Sequence, residues 1–536
     1  MNNTENEEVI QVEVIDASAP LPETGADCNT EISNASASPR HTFAPDIADF
    51  IFALVIFVVG YLFVRWVLSY WLGIQIFIFT ALYLGSTLAY FLKKGIKISA
   101  QSWFWFAAVF LTGLSCAIWE NFSIMGIRAL FLFAGAVYWA VHATNTTVAG
   151  KTGNYLILDA LNAVFIIPFG NFFSQYKSFS VVLKRREKRV RKMLSILGGV
   201  AVSLILFAII VPLLISADSG GFSLFVNFLS GLFTINNEKL IEFFLYCIPA
   251  IPTAAYIYGL ASGCVHKRRT NNLKTENIPS ALNAARLLPS VTVNIVLGAI
   301  SLVYIIFILC QLPYFFSAFN GARPDGWLVY SQYAREGFFE LCKIAIINII
   351  VIFSTNLAVR KTETKGAVLK TLNIILSLIT LLLIATAMSK MALYINAYGL
   401  TIRRLLPYVA MIFFALIYGG VIALQKWKFS IARLGLTAGA VIIVALCLIN
   451  PNRVVVRYNT DRYLSGTLAV YDIDILYESH MAGILPAIEV LNTTTDETLK
   501  AQIHDFLNKS LYRYIDTPLE SFWELEKAID ALEKME

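Results

Sequence analysis

Eleven apolar stretches, each about 20 residues long and bounded by charge, proline or polar clusters, recur along this chain. A helix of that length and composition matches the ~30 Å hydrocarbon core of a bilayer. The spacing predicts spans near 47–65, 71–92, 102–119, 124–142, 193–216, 240–261, 288–310, 337–357, 370–389, 405–424 and 434–450. Composition agrees: 57% of the residues are apolar and 15% charged, against roughly 45–50% and 25% in soluble domains. A soluble enzyme, a disordered chain and a nucleic-acid-binding protein are excluded together. The expected fold class is all-α, a polytopic integral membrane helical bundle of about eleven transmembrane helices with a small helical extracytoplasmic C-terminal domain.

Net charge divides the chain into three regions. Residues 1–45 carry eight acids against Arg40, and residues 451–536 carry fifteen acids against eight bases, while residues 46–450 are strongly basic. The basic residues of that middle region alternate between loops. One set of loops holds Lys93, Lys94 and Lys97, the run Lys184 to Lys192, Lys267 to Arg269, Arg360 and Lys361, and Lys426 to Arg433. The other set holds Arg65, Lys239, Arg323, Arg335, Lys390, Arg403 and Arg404. By the positive-inside rule the first set is cytoplasmic. The N-terminus is then inside, the C-terminal segment outside, and a bacterial cytoplasmic membrane is the expected location.

Residues 1–45 lack hydrophobic periodicity and are rich in Ser, Asn, Thr and Glu, the composition of a disordered acidic cytoplasmic tail. The first apolar run is long enough to span and reads as an uncleaved insertion signal. Leu21-Pro22-Glu23-Thr24-Gly25 looks like the pentapeptide that Gram-positive sortases cleave, but a sorting signal works at the C-terminal end of an exported chain, and this one precedes eleven spans. Between the fourth and fifth spans, residues 155–173 are apolar yet carry Asp159, Asn162, Pro168 and Asn171, a pattern that fits an interfacial or re-entrant segment. The basic run after it suits a solvated helix attracted to anionic headgroups.

Chemistry-bearing motifs are sparse. The seven cysteines form no C-x-x-C pair and the five histidines are scattered over separate segments, so neither a disulfide framework nor a metal centre has support. A phosphate-cradling glycine loop and a G-x-S-x-G elbow are missing, and no cofactor is implied.

The informative residues gather at the predicted outer ends of three helices. The fifth span ends in Asp218; the eighth is introduced by Tyr333, Arg335 and Glu336 and continues through Glu340 and Lys343; the ninth runs out through Lys390, Tyr394 and Tyr398 to Arg403 and Arg404. On a helix Glu336 and Glu340 are i,i+4 neighbours with Lys343 one turn further. Ionised groups at that depth are costly unless paired or facing water. Two readings follow: ion pairs closing the helix ends beneath an aromatic belt of Tyr333, Tyr394 and Tyr398, or a polar outward-facing site for an anionic or lipid-linked ligand. Arg128 and Glu242, near the starts of the fourth and sixth spans, enter from the same side and could join either arrangement.

The string Tyr333-Ala334-Arg335-Glu336-Gly337-Phe338-Phe339-Glu340-Leu341, with Lys390-Met391-x-Leu393-Tyr394-x-x-x-Tyr398-Gly399-Leu400-Thr401 followed by Arg403, resembles the signature of an uncharacterised family of polytopic bacterial membrane proteins, a domain of unknown function of the 4153/4173 type. Ser216-Ala217-Asp218 and the tract Asn450 to Pro486 are similar too, so the resemblance covers roughly residues 45–490. The family pattern has Asn-Pro-Asp after the last helix and an Asp near the later proline, where this chain has Asn450-Pro451-Asn452 and His480. The resemblance implies a fold type and a bacterial inner-membrane location but no activity.

In residues 451–536, Leu485, Ile488 and Leu491, then Leu499, Ile503, Leu507 and Leu511, recur at helical spacing, with Asp496 placed to start the later helix. Asp472, Asp474 and Glu478 suit a solvated acidic face better than a cation site. Three function classes fit the whole. The first is a non-enzymatic envelope sensor or assembly module, with the acidic tail and the C-terminal domain as surfaces for protein partners. The second is a membrane enzyme acting on a lipid-linked phosphate, with Arg335, Lys390, Arg403 and Arg404 holding the phosphate and Glu336 or Glu340 as base. The third is a transporter, disfavoured because Pro249 and Pro252 make the one clear helix break and no paired repeat accompanies them. The bilayer is the expected partner in all three, and nucleic acid in none.

Overall fold

The computed structural model describes residues 43–68, 73–119, 121–147, 153, 156–185, 237–268, 288–319, 338–359 and 366–515, with five isolated helical positions between 199 and 214. The described chain is helical, and ten of its helices are long and apolar enough to cross a membrane. This is a polytopic membrane bundle. The expected span near 193–216 lies outside the described residues apart from those five positions.

Helix α1 (Ile47–Leu62) is started by a capping box, in which the Asp46 carboxylate accepts from the Asp49 amide and the Asp49 carboxylate from the Asp46 amide, and it runs on as a π-turn over Phe63–Leu68. Helices α2 (Gly73–Lys93), α3 (Ala100–Ile118) and α4 (Met125–Ala143) follow as antiparallel neighbours. Ser99 caps α3 by accepting from the Ser102 amide. A broken helical stretch then comprises α5 (Leu156–Leu161), a π-turn (Asn162–Ile166), α6 (Ile167–Gly170) and α7 (Ser174–Arg185). Helix α8 (Asn237–Val265) completes the N-terminal bundle.

Helix α8 packs closely because small residues let backbones approach. A Cβ on Gly60 of α1 would meet Ala254 at 2.9 Å; one on Gly259 would meet the Pro168 carbonyl and one on Gly263 the Asn171 side chain, each at 2.5 Å. Tyr256 donates to the Val164 carbonyl at 3.0 Å, and Asn171 Nδ2 donates to the Arg268 carbonyl at 3.0 Å. These contacts advance together, so α5–α6 runs parallel to α8. Tyr256 lies nine residues before the end of α8, roughly 14 Å at 1.5 Å per residue. The segment therefore lies alongside the last part of α8. Ile157, Leu161, Phe165, Phe169 and Phe173, spaced by four, form its exposed outer stripe, while Asp159, Asn162 and Asn171 face inward and are buried.

The C-terminal bundle comprises α9 (Ser290–Phe319), α10 (Phe338–Ala358), α11 (Ala367–Tyr398) and α12 (Ile402–Leu424). Its interior carries uncharged polar links that satisfy side chains in an apolar medium. Tyr304 donates to Asn348 Oδ1 and Asn348 Nδ2 to Thr380, both at 2.9 Å, and Asn356 and Asn373 exchange amide bonds at 3.2 Å. Helix α13 (Ile431–Ile449) joins the two bundles, packing on α3 and on α12, where Leu434 fills the space above Gly420.

The boundaries follow the predicted spans with two large differences, the first being that α9 continues past its expected end near 310 to Phe319. Helix α11 was expected to end near 389 and continues to Tyr398, where Gly399 takes the left-handed backbone that stops it, at φ 78°. Lys390 interrupts the apolar run, yet the backbone remains helical because groups distant in sequence satisfy its last carbonyls.

Among the described residues, four helices form the C-terminal domain: α14 (Pro451–Leu464), α15 (Asp474–Ser479), α16 (Ile484–Thr493) and α17 (Glu497–Ile515), with a 3-10 turn over His480–Gly483. Leu491, Leu499, Ile503 and Leu507 are buried as their spacing predicts, whereas Leu485 is exposed, and the side chain of Leu511 lies outside the description. Leu400 and Ile402, from the turn between α11 and α12, belong to the same apolar core. The domain is built onto the membrane helices.

Candidate functional site

Of the predicted outer cluster, Asp218, Tyr333, Arg335 and Glu336 lie outside the described residues. Glu340 and Lys343 stand exposed on the first two turns of α10. Lys390 is half-buried on α11, one turn before Tyr394, and Arg403 is exposed at the start of α12. The structure joins Tyr394, Tyr398 and Arg404. The Arg404 guanidinium lies 4.0 Å over the Tyr394 ring, Tyr394 and Tyr398 pack edge to face, and Arg404 Nη1 donates to the carbonyls of Tyr398 (3.0 Å) and Gly399. Arg404 thus caps the C-terminus of α11, where a cation also favours the helix dipole. The bonds that a phosphate would take from this nitrogen already go to backbone.

The same helix end is held from the C-terminal domain. Arg462 on α14 donates to the carbonyls of Ile395 (3.3 Å) and Asn396 (2.9 Å). Asn459 accepts from the Leu400 amide at 2.8 Å and donates to the Leu400 carbonyl at 2.7 Å, so one buried side chain satisfies both polar groups of a backbone residue. Sequence reasoning did not single out Asn459 or Arg462; their partners are about sixty residues away.

A second junction ties the domain to the N-terminal bundle. Asn450, at φ 58°, caps α14, with Pro451 at the first helical position. Its Oδ1 accepts from the Asn452 amide at 3.2 Å and from Asn121 Nδ2 at 3.0 Å, while Trp119 Nε1 donates to the Leu448 carbonyl at 2.8 Å. The Arg453 guanidinium lies 5.4 Å over Trp119, and Phe122 packs edge-on against His480, itself at φ 51°. Asn452 Nδ2 reaches the Glu478 carbonyl at 3.4 Å. The two positions where this chain departs from the resembled pattern, Asn452 and His480, therefore meet in one place. Nearby, burial pushes the Tyr471 phenol up to about 12 even though its oxygen bonds Thr460 at 2.9 Å.

At the opposite end of the bundle lies a cluster that the sequence reading missed. The Asp49 side chain is fully buried. Its Oδ1 accepts from Tyr90 at 2.5 Å and His266 Nε2 at 2.9 Å, and its Oδ2 from Lys94 and the Asp46 amide, each at 2.9 Å. Lys94 also bridges to Asp46 at 2.9 Å, Phe43 packs edge-on against His266, and Arg268 lies 5.0 Å over Phe43. Tyr258 donates to the Asp49 carbonyl at 3.4 Å and shares a hydrogen bond with Ser178 at 2.5 Å. The available signal was local: two aspartates at capping-box spacing beside a loop rich in lysine.

Among the described residues no three His, Cys, Asp or Glu side chains converge as a metal site would require. What the arrangement provides is mechanical continuity, since one small domain is hydrogen-bonded both to the turn between α11 and α12 and to the loop between α3 and α4.

The family described as a domain of unknown function (DUF4153) matches residues 106–490. That is more than two thirds of the chain, and it takes in both junctions, so the chain belongs to this family. No curated protein and no solved structure matches it.

Proposed function

We propose that this member of the DUF4153 family is a non-enzymatic sensor or assembly module of the bacterial envelope. It sits in the cytoplasmic membrane with its lysine-rich loops inside and the domain that starts at Pro451 outside. The supporting observation is the double attachment of that domain: Asn459 and Arg462 hold the end of α11, and Asn450 holds the loop before α4 through Asn121. A partner that shifted α14 would move both bundles, because the domain core includes Leu400 and Ile402 at the turn between α11 and α12 while Asn450 bonds Asn121 in the loop before α4. Coupling of this kind needs a contiguous set of packed elements biased from one site.

The test is amide hydrogen exchange on the purified full chain, wild type against Asn459→Ala. A relay predicts altered protection at the far end, around Phe43–Asp46 and His266–Arg268. Loosening confined to residues 399–515 would overturn it.

A further inference from the structure

We propose that Arg128 and Asn450 form a binding site for a single phosphate group where the N-termini of α4 and α14 meet. Arg128 is 8% exposed, and its guanidinium makes one long hydrogen bond, Nη1 to the Trp119 carbonyl at 3.4 Å. Its Nε is buried without a partner, and among the described residues no carboxylate lies within ion-pair distance of it. A buried cation without a counterion is costly, and the cost disappears when an anion joins it.

The surroundings suit an anion. At the start of helix α4 the Ile124 amide donates to Asn121 Oδ1 at 3.4 Å and the Met125 amide to the Phe122 carbonyl at 3.2 Å, but the N-cap Ile124 offers no side-chain acceptor to the amides of Gly126 and Ile127, so the positive end of the dipole is left to other partners. Helix α14 begins at Asn450, and the bond from Asn121 to Asn450 brings the two N-termini together. Asn450 is fully buried, and its Nδ2, a donor, has no partner. Its backbone is held at φ 58°, a conformation that non-glycine residues adopt at some cost and that clusters at ligand sites. Buried Asn452 Oδ1 is also without a partner and is placed beside Asn450 by the Asn452 amide bond, where it could accept from a protonated phosphate oxygen. A guanidinium fork, an amide donor and the open N-terminus of α4 are groups that recognise phosphate.

The phosphate could belong to a phospholipid headgroup, since Arg128 lies one turn inside a spanning helix, or to a free ion. The site shares the Asn121–Asn450 bond with the attachment of the domain but none of the Asn459 contacts, so unchanged distant exchange in Asn459→Ala would leave it standing. Two measurements on the full chain in detergent separate the sources. Inorganic phosphate, against chloride at equal ionic strength, should raise the Tm of delipidated wild type in a saturable manner. Native mass spectrometry before delipidation should show a retained anionic phospholipid if the headgroup is the occupant, and none if the free ion is. Arg128→Gln should lose whichever response the wild type shows. Asn450→Asp, which keeps the shape and cap but adds a negative charge, should weaken it. Absence of both a phosphate-dependent Tm rise and a retained phospholipid in the wild type overturns the proposal without recourse to any variant.

Discussion

At the lysine-rich end of the bundle both oxygens of Asp49 are satisfied, by donors from α1, α2 and the end of α8. At the end carrying the C-terminal domain, Arg128 is nearly as deeply buried and holds one carbonyl at 3.4 Å. Both place a charge where solvation is poor, yet only the first surrounds it with opposite charge and hydrogen bonds. A carboxylate shared by Tyr90, Lys94 and His266 fixes the relative position of three helices, and nothing further can bind it without displacing one of them. An under-coordinated guanidinium between two helix N-termini is open to a further ligand. Incomplete coordination of a buried charge is therefore a better guide to a ligand site than the charge itself.

The largest expected effect comes from breaking the complete cluster. Asp49→Ala would leave His266 and Tyr90 without their acceptor and Lys94 with the exposed Asp46 carboxylate alone. Removal of one partner from a buried charge network costs about 3–5 kcal/mol, visible as a large fall in the Tm of the purified protein. Arg128→Met, measured without phosphate, should be near neutral or stabilising, because it removes an uncompensated charge and keeps most of the volume. Equal losses for the two substitutions would break the distinction between the two ends.

The spans were legible because a period of 3.6 residues and a length near 20 are local properties, and local sequence carries them. Bonds that close on distant residues were not. Asp49 reads as one acid at a helix start until Tyr90 and His266, 41 and 217 residues away, are brought to it. The end of α11 was misplaced by the charge on Lys390, since the groups that cap its carbonyls, Arg404 and Arg462, follow in a later helix and in the domain beyond. Arg128 was visible as a cation at a helix start, where long side chains usually snorkel to solvent. Its burial depends on the loop between α3 and α4 meeting Leu448 and Asn450, which no local pattern announces.

An intermediate effect sharpens the comparison at the lysine-rich end, where α6 leans on α8. Gly259→Ala would place a methyl group 2.5 Å from the Pro168 carbonyl, a backbone atom that cannot rotate away. Such overpacking typically costs about 1–3 kcal/mol. Gly85→Ala, on α2 with nothing within 4 Å of the added carbon, is the control and should gain up to about 1 kcal/mol from the improved helix propensity. Thermal unfolding of both variants against wild type reads the difference. A neutral Gly259→Ala would mean that α6 does not press on α8 as closely as the contacts indicate.

The smallest effect concerns an acid that belongs to neither cluster. Asp496, fully exposed, accepts from the Thr498 hydroxyl at 2.5 Å and from the amides of Thr498 (2.9 Å) and Leu499 (3.3 Å), closing the first turn of α17. The Thr498 hydroxyl and then these amides hold its carboxyl below the ordinary carboxylate range. A depressed folded pKa means that the carboxylate stabilises the cap fully above the unfolded value near pH 4. That contribution is lost as pH falls through the lower folded value. Exchange of the amides of residues 497–500 should therefore show lower protection on acidification from pH 5 to pH 3, after correction for intrinsic rates, and Asp496→Asn should flatten the dependence while retaining much of the cap. A wild type as insensitive to pH as the Asn variant would assign the stability of this turn to the apolar core beneath it, where Leu499 and Ile503 are buried against the rest of the domain.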